Sequence, residues 1–239
     1  MPTSVWLQML LLGFRFTLLA VREEKLTGKD TGCYDAIKVM RNDHKKKYDI
    51  IISAEEDFAR AVALGVIVKR PLSAWHVLIP GMFILDFLRR SSEIKKYTNL
   101  FLFPKRLALD VAHETSKGGD KKAGFSRAEE KVRQWLTSLK LSSSSLHQRQ
   151  MEAINVLIDH YSKLLDTDGN NYRSLVKKAY RTRQNYEAFL SQLASVEKEI
   201  DRSIAEILGE TQDVWGRLQA EETQVKELKQ KEVDKIFAR

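Results

Sequence analysis

Between Leu72 and Leu88 the chain runs for seventeen residues that are nearly all apolar, with Pro80-Gly81 in the middle. Basic pairs close both ends, Lys69-Arg70 before and Arg89-Arg90 after. A straight helix of that length reaches about 26 Å at about 1.5 Å per residue. The hydrocarbon core of a bilayer is about 30 Å thick. Pro80 removes an N–H and crowds the preceding turn, at about 3 kcal/mol in an ordinary helix interior. Three geometries fit: a short kinked transmembrane helix, a re-entrant helix-break-helix with both ends on one side, and a buried hairpin in a soluble core. Contact with a membrane is the expectation. The anchoring side chains are then Leu72, Trp75, Val77, Leu78, Ile79, Pro80, Met82, Phe83, Ile84, Leu85, Phe87 and Leu88.

The immediate flanks carry two bases each, so they give no orientation by the positive-inside rule and suit a dip from one face. Further on, Arg89, Arg90, Lys95, Lys96, Lys105 and Arg106 face a single acid, Glu93. Together with Lys69 and Arg70 they form a collar for anionic lipid, which places the downstream side on the cytoplasmic face. Trp75 and Tyr97 stand where amphipathic rings favour the interface. Residues 1–125 hold 21 Lys+Arg against 14 Asp+Glu, a net of +7. Residues 126–239 hold 19 against 18, a net of +1. The positive charge therefore travels with the apolar segments. A lone cysteine, Cys33, has no partner for an internal disulfide or a zinc cluster.

A second apolar stretch, Val5 to Val21, contains Gln8 and Arg15. It lacks the basic start and small-residue cleavage site of a secretory signal. A mid-helix Arg costs roughly 2.5–3.5 kcal/mol on insertion scales, so a surface or buried helix competes with a short span. Residues 26–47 read as polar and turn-like, and Met40 could open a shorter chain. Ser53 with Glu56 has the spacing of a capping box for an amphipathic helix over 53–68, stopped by Pro71. The short run Leu100–Phe103 ends at Pro104, and either lies at the headgroup boundary or packs on the domain below. The glycine- and lysine-rich stretch 117–125 reads as a linker between residues 48–116 and a C-terminal domain over 126–239.

That C-terminal half has helical periodicity. Ser126 with Glu129 repeats the capping-box spacing, ahead of Val132, Trp135, Leu136 and Leu139. A helix over 145–165 puts Met151, Ile154, Leu157, Ile158, Tyr161 and Leu164 on one face. Residues 166–171 form a turn. A long helix is expected from Tyr172, with Gly209 either ending it or lying inside it. The fold class is therefore mainly α: membrane-associated N-terminal apolar helices, then a cytosolic antiparallel helical bundle or irregular coiled coil.

Chemistry is sparse. The turn at Asp166 fails as a calcium loop, because its sixth position is Asn171 and its twelfth Lys177. Asp159-His160-Tyr161 and His113-Glu114 are acid–base residue types, but neighbours on a helix point about 100° apart. His147 and Glu152 are spaced poorly for shared metal ligation. No nucleophile elbow, zinc-protease, phosphate-loop or dinucleotide motif occurs. No catalytic residue, metal site or cofactor is assigned. Arg173, Lys177 and Arg181 form an i, i+4 basic stripe among tyrosines over 172–186, a candidate phosphate contact.

The function expected is a non-enzymatic membrane tether or scaffold. Its partners are an anionic bilayer and either a protein or a second copy bound through 126–239. One alternative is a soluble nucleic-acid-associated module using 172–186. Another is a membrane-surface enzyme with His76 and Asp86 at headgroup level.

Overall fold

The computed structural model describes residues 31–67 and 80–238, with side chains described for 43–67 and 91–238. The described residues form seven helices and no strand. They are α1 (Thr31–Ile67), α2 (Pro80–Ser116), α3 (Lys121–Ser138), α4 (Ser144–Leu165), α5 (Tyr172–Tyr180), α6 (Arg183–Leu208) and α7 (Gln212–Phe237). The chain divides into two units, Met1–Asp43 and His44–Arg239. Of the first, the described part is the opening of α1. The second is a helical bundle. The apolar stretch 5–21 lies outside the described residues.

Several expected boundaries move. No glycine or proline falls between Cys33 and Leu64, so α1 continues through the polar residues 31–47, and Ser53 is an exposed mid-helix residue, not a cap. Ser126 is likewise inside α3. The true cap is Asp120, whose carboxylate accepts from the Lys122 N–H at 2.9 Å. The stretch 117–125 thus holds a short turn and the first residues of α3, inside the second unit. α2 passes through Pro104. Leu102, 1 % exposed, and Phe103, stacked on Trp135 at 4.8 Å, lie against the bundle. Pro80 is the first residue of α2, where its missing N–H removes no helical bond. Among the described residues, no helix is long and apolar enough to cross a membrane. The transmembrane helix expected from sequence is therefore not found there.

α4 is the central helix. It packs on α2, α6 and α3, and buries residues around much of its circumference, among them Leu146, Ile154, Ile158, Tyr161 and Leu165. The turn after it ends at Asn171, whose side chain accepts from the Ser174 N–H while Ser174 returns a contact to the Asn171 N–H. The helix expected to run on from Tyr172 breaks at Arg181, which has φ 61°, and restarts behind the N-cap Thr182. Gly209, with φ 80°, ends α6.

α1 and α2 are antiparallel. Tyr48 meets Asp110 and His113, Glu55 meets Lys105, Glu56 meets Arg106, and Phe58 meets Phe101. Pro80 is equidistant in sequence from Glu55 and Lys105. α6 runs antiparallel to α4, as the Ser145–Ser203 and His160–Phe189 contacts require. α7 returns beside α6, with Lys229 on Glu197 and Arg183 on Asp234. A Cβ at Gly65 would run into the Gln224 side chain, so α1 also touches α7.

Candidate functional site

The two longest helices each carry one charged residue in the middle of an apolar stripe. On α1 the buried series is Ile51, Glu55, Ala59, Val62; on α2 it is Leu102, Lys105, Ala108, Leu109, Ala112. Their antiparallel register brings Glu55 and Lys105 together at 2.6 Å. Tyr161 of α4 donates to the other Glu55 oxygen at 2.9 Å. The Lys105 ammonium also stands over the rings of Phe58 and Phe101, at 4.9 and 4.7 Å. Burial works to raise the Glu55 carboxyl, but Lys105 and the two hydrogen bonds outweigh it and hold the group below its ordinary range.

Beside this pair His160 stacks on Phe189 with centroids 4.2 Å apart, and its Nδ1 lies 2.7 Å from the Tyr180 hydroxyl. The tautomer decides which of the two donates. Burial pushes His160 down to about 3, so the ring is neutral at neutral pH. Tyr186 donates to Glu232 at 2.6 Å, and Lys229 donates to Glu197 at 3.0 Å. A cavity of about 30 Å³, room for about one water, is lined by Glu55, Lys105, His160, Tyr172, Tyr186 and Glu232 among others.

A much larger groove of about 640 Å³ opens beyond it, between α2, α4, α6 and α7. Its wall is largely apolar, from Leu100, Phe101, Leu157, Leu190, Leu193, Ile204 and Val225. Asp201 of α6 and Glu221 of α7 also line it. Neither forms an ion pair among the described residues. Burial, then the charge of Glu221, raises Asp201 to about 7. Burial also raises Glu221. The Tyr97 hydroxyl lies beside Glu221 and partly offsets this, although its geometry falls short of a full hydrogen bond.

The residues singled out from sequence fall as follows. Leu72, Trp75, Val77, Leu78, Ile79, Lys69, Arg70 and His76 lie outside the described residues. Pro80, Met82 to Leu85, Asp86, Phe87 to Arg90 belong to the first turns of α2, where the side chains are outside the described set. Lys95 is exposed. Lys105 is turned inward onto Glu55, and Arg106 pairs with Glu56 at 2.5 Å, so both of these bases are held by α1. The physical reason is the register: each base meets an acid one helix away. Arg173 donates to the Ile236 and Ala238 carbonyls at 3.2 and 3.5 Å, closing the end of α7. Lys177 is exposed, and Arg181 lies past the end of α5, so the stripe does not continue along one helix.

Asp159 is exposed and pairs with Lys121, whereas His160 and Tyr161 are the buried groups described above. His113 packs on Tyr48 at 4.8 Å, and Glu114 pairs with Arg127. Glu152 pairs with Arg149 at 2.9 Å. Among the described residues, no group of three or more His, Cys, Asp or Glu side chains is placed to hold a metal ion. Sequence reasoning missed Glu55, Lys105 as a buried base, Asp201 and Glu221. Glu55 and Lys105 had a signal: opposite charges centred in two apolar stripes.

Compared with known families, with curated proteins and with solved structures, the chain matches none of them.

Proposed function

We propose that this protein is a non-enzymatic helical scaffold that rests one end of its bundle on a membrane. The observation that carries this is what gathers at that end. By the α1–α2 register, Ile67 falls level with Glu93, so residues 80–92 of α2 extend roughly 20 Å past α1 at about 1.5 Å per residue. Tyr97 of α2 lies level with Asp201 and Glu221, so the α6–α7 turn points the same way. The exposed large apolar residues described are Leu64, Ile207 and Trp215, at 43, 38 and 39 % exposure. Leu64 is near the end of α1, and the other two flank Gly209. All three lie toward the end of the bundle past which α2 extends.

An antiparallel pair favours the dip over the span, because both flanks of the run then start from one side. Arg70 and Arg90 are also equidistant from Pro80 in sequence, so a dip sets both basic pairs at one depth, where anionic headgroups attract them. Tryptophan at such a boundary is favourable. The rest of the bundle, through 126–239, stands on the cytoplasmic side and presents a surface to a partner protein or a second copy.

Flotation with vesicles of mixed zwitterionic and anionic lipid tests this. The full chain is expected to float, and Ile207→Asp with Trp215→Asp to weaken binding by about tenfold, as loss of two partly buried apolar side chains implies. A chain that stays at the bottom of the gradient with every lipid mixture overturns the proposal.

A further inference from the structure

The groove between α2, α4, α6 and α7 is independent of the membrane reading. At about 640 Å³ it has the size of a small-molecule site, and its wall is mainly apolar with a few convergent polar groups. The polar groups are not equivalent. Lys105 is engaged by Glu55, Lys229 by Glu197, and Glu187 by Arg183 at 2.7 Å. Lys198, Glu222 and Lys226 are exposed at the rim. Asp201 and Glu221 remain, half-buried on facing helices, with apolar neighbours and no basic partner among the described residues.

We infer that this groove binds a small amphipathic amine, its ammonium between Asp201 and Glu221 and its hydrocarbon body against Leu190, Leu193, Ile204 and Val225. Charge complementarity selects this occupant. A carboxylate ligand would add a third negative charge to the same wall. A neutral apolar ligand would fill the volume and leave both carboxyls without a counter-ion. An ammonium relieves both and can donate to each. The volume is small for a folded partner segment and suits a chain of several carbons.

Protonation sharpens the expectation. Asp201 carries its proton up to about pH 7. The charged and titratable groups around it are Tyr97 and Lys105 from α2, Glu197 and Lys198 from α6, and Glu221, Glu222, Lys226 and Lys229 from α7. An alkylammonium stays charged through this range. Binding it therefore releases a proton below pH 7, and affinity rises with pH.

The test is calorimetric titration of the full chain, without lipid, with octylamine, octanol and octanoate. Octylamine is expected to bind saturably at one site, tighter than the other two by roughly tenfold to a hundredfold, the span of a charged hydrogen bond. Its affinity should fall when the pH is lowered from 8 to 6. Asp201→Asn with Glu221→Gln should leave octylamine no tighter than octanol. These isosteres remove repulsion, so folding is retained. Ala194→Trp should block all three by filling the groove. Equal binding of the three ligands, retained amine preference in the double variant, or absence of binding overturns the inference. Failure of flotation with normal octylamine binding would remove the membrane reading and leave this one standing.

Discussion

The interior shared by α1, α2 and α4 and the groove wall shared by α6 and α7 treat buried carboxyls in opposite ways. Glu55 meets an ammonium at 2.6 Å and a phenol at 2.9 Å, and is held ionised. Asp201 and Glu221 lie against an apolar wall with no base paired to them among the described residues, and burial, only partly offset by Tyr97 at Glu221, pushes both toward the neutral form. A buried charge with a full set of partners fixes register, because sliding α1 along α2 by one turn would strand both Glu55 and Lys105. A half-buried carboxyl without a base fixes nothing. It leaves a site whose charge depends on pH and on what enters the groove.

The contrast is broken most severely at Glu55. Glu55→Ala leaves Lys105 buried without its counter-ion and is expected to lower unfolding free energy by about 3–5 kcal/mol. Glu55→Leu with Lys105→Met should recover most of that loss, since the desolvation penalty goes with the charges. Urea denaturation of the three variants checks both statements. If Glu55→Ala costs no more than a surface substitution, the pair is not the clamp described.

The groove side moves the other way and by less. Asp201→Asn is expected to stabilise the protein above pH 7, by roughly 1–3 kcal/mol after discounting for its partial exposure. The sign follows from its raised pKa. The native carboxyl keeps its proton to about 7, whereas the unfolded one loses it near its ordinary value of 3.8. That contribution is complete below the unfolded value and is lost as pH rises toward 7. The advantage of Asp201→Asn over the natural chain should therefore grow between about pH 4 and 7 and level off above. His160 acts oppositely, because burial lowers it to about 3 and stability falls as pH drops below its ordinary value. Comparing the variant with the natural chain at each pH cancels the histidine. Chemical denaturation across that range shows whether the difference has this shape.

The smallest effect sits next to the largest. Arg106 follows Lys105 in sequence and pairs with Glu56 as Lys105 pairs with Glu55, but both partners are nearly half exposed. Arg106→Ala should cost under about 1 kcal/mol, screened further by salt. Two adjacent cations with similar geometry and very different effects would show that burial sets the value of each pair.

What could be read from the sequence was what repeats. The stripe from Met151 to Leu165 gives α4 nearly to the residue, and the turn at 166–171 announces itself by Asp, Gly and Asn. Caps were less legible. Ser53 and Ser126 have the right spacing to Glu56 and Glu129 but lie inside helices, since a capping pair works only where the backbone has already left the helix. The break at Arg181 depends on one left-handed residue with no glycine to mark it. The groove was least legible, because Asp201 and Glu221 are separated by the α6–α7 turn and meet only when the hairpin closes.

The reversal of α1 into α2 has a mechanical consequence. If the segment joining them is gripped and the bundle is pulled away, tension enters two helices side by side. Each carries part of the force, and the Glu55–Lys105 clamp is not sheared, because both helices are drawn in the same direction. A single connecting helix of the same length would have to bear the whole load alone.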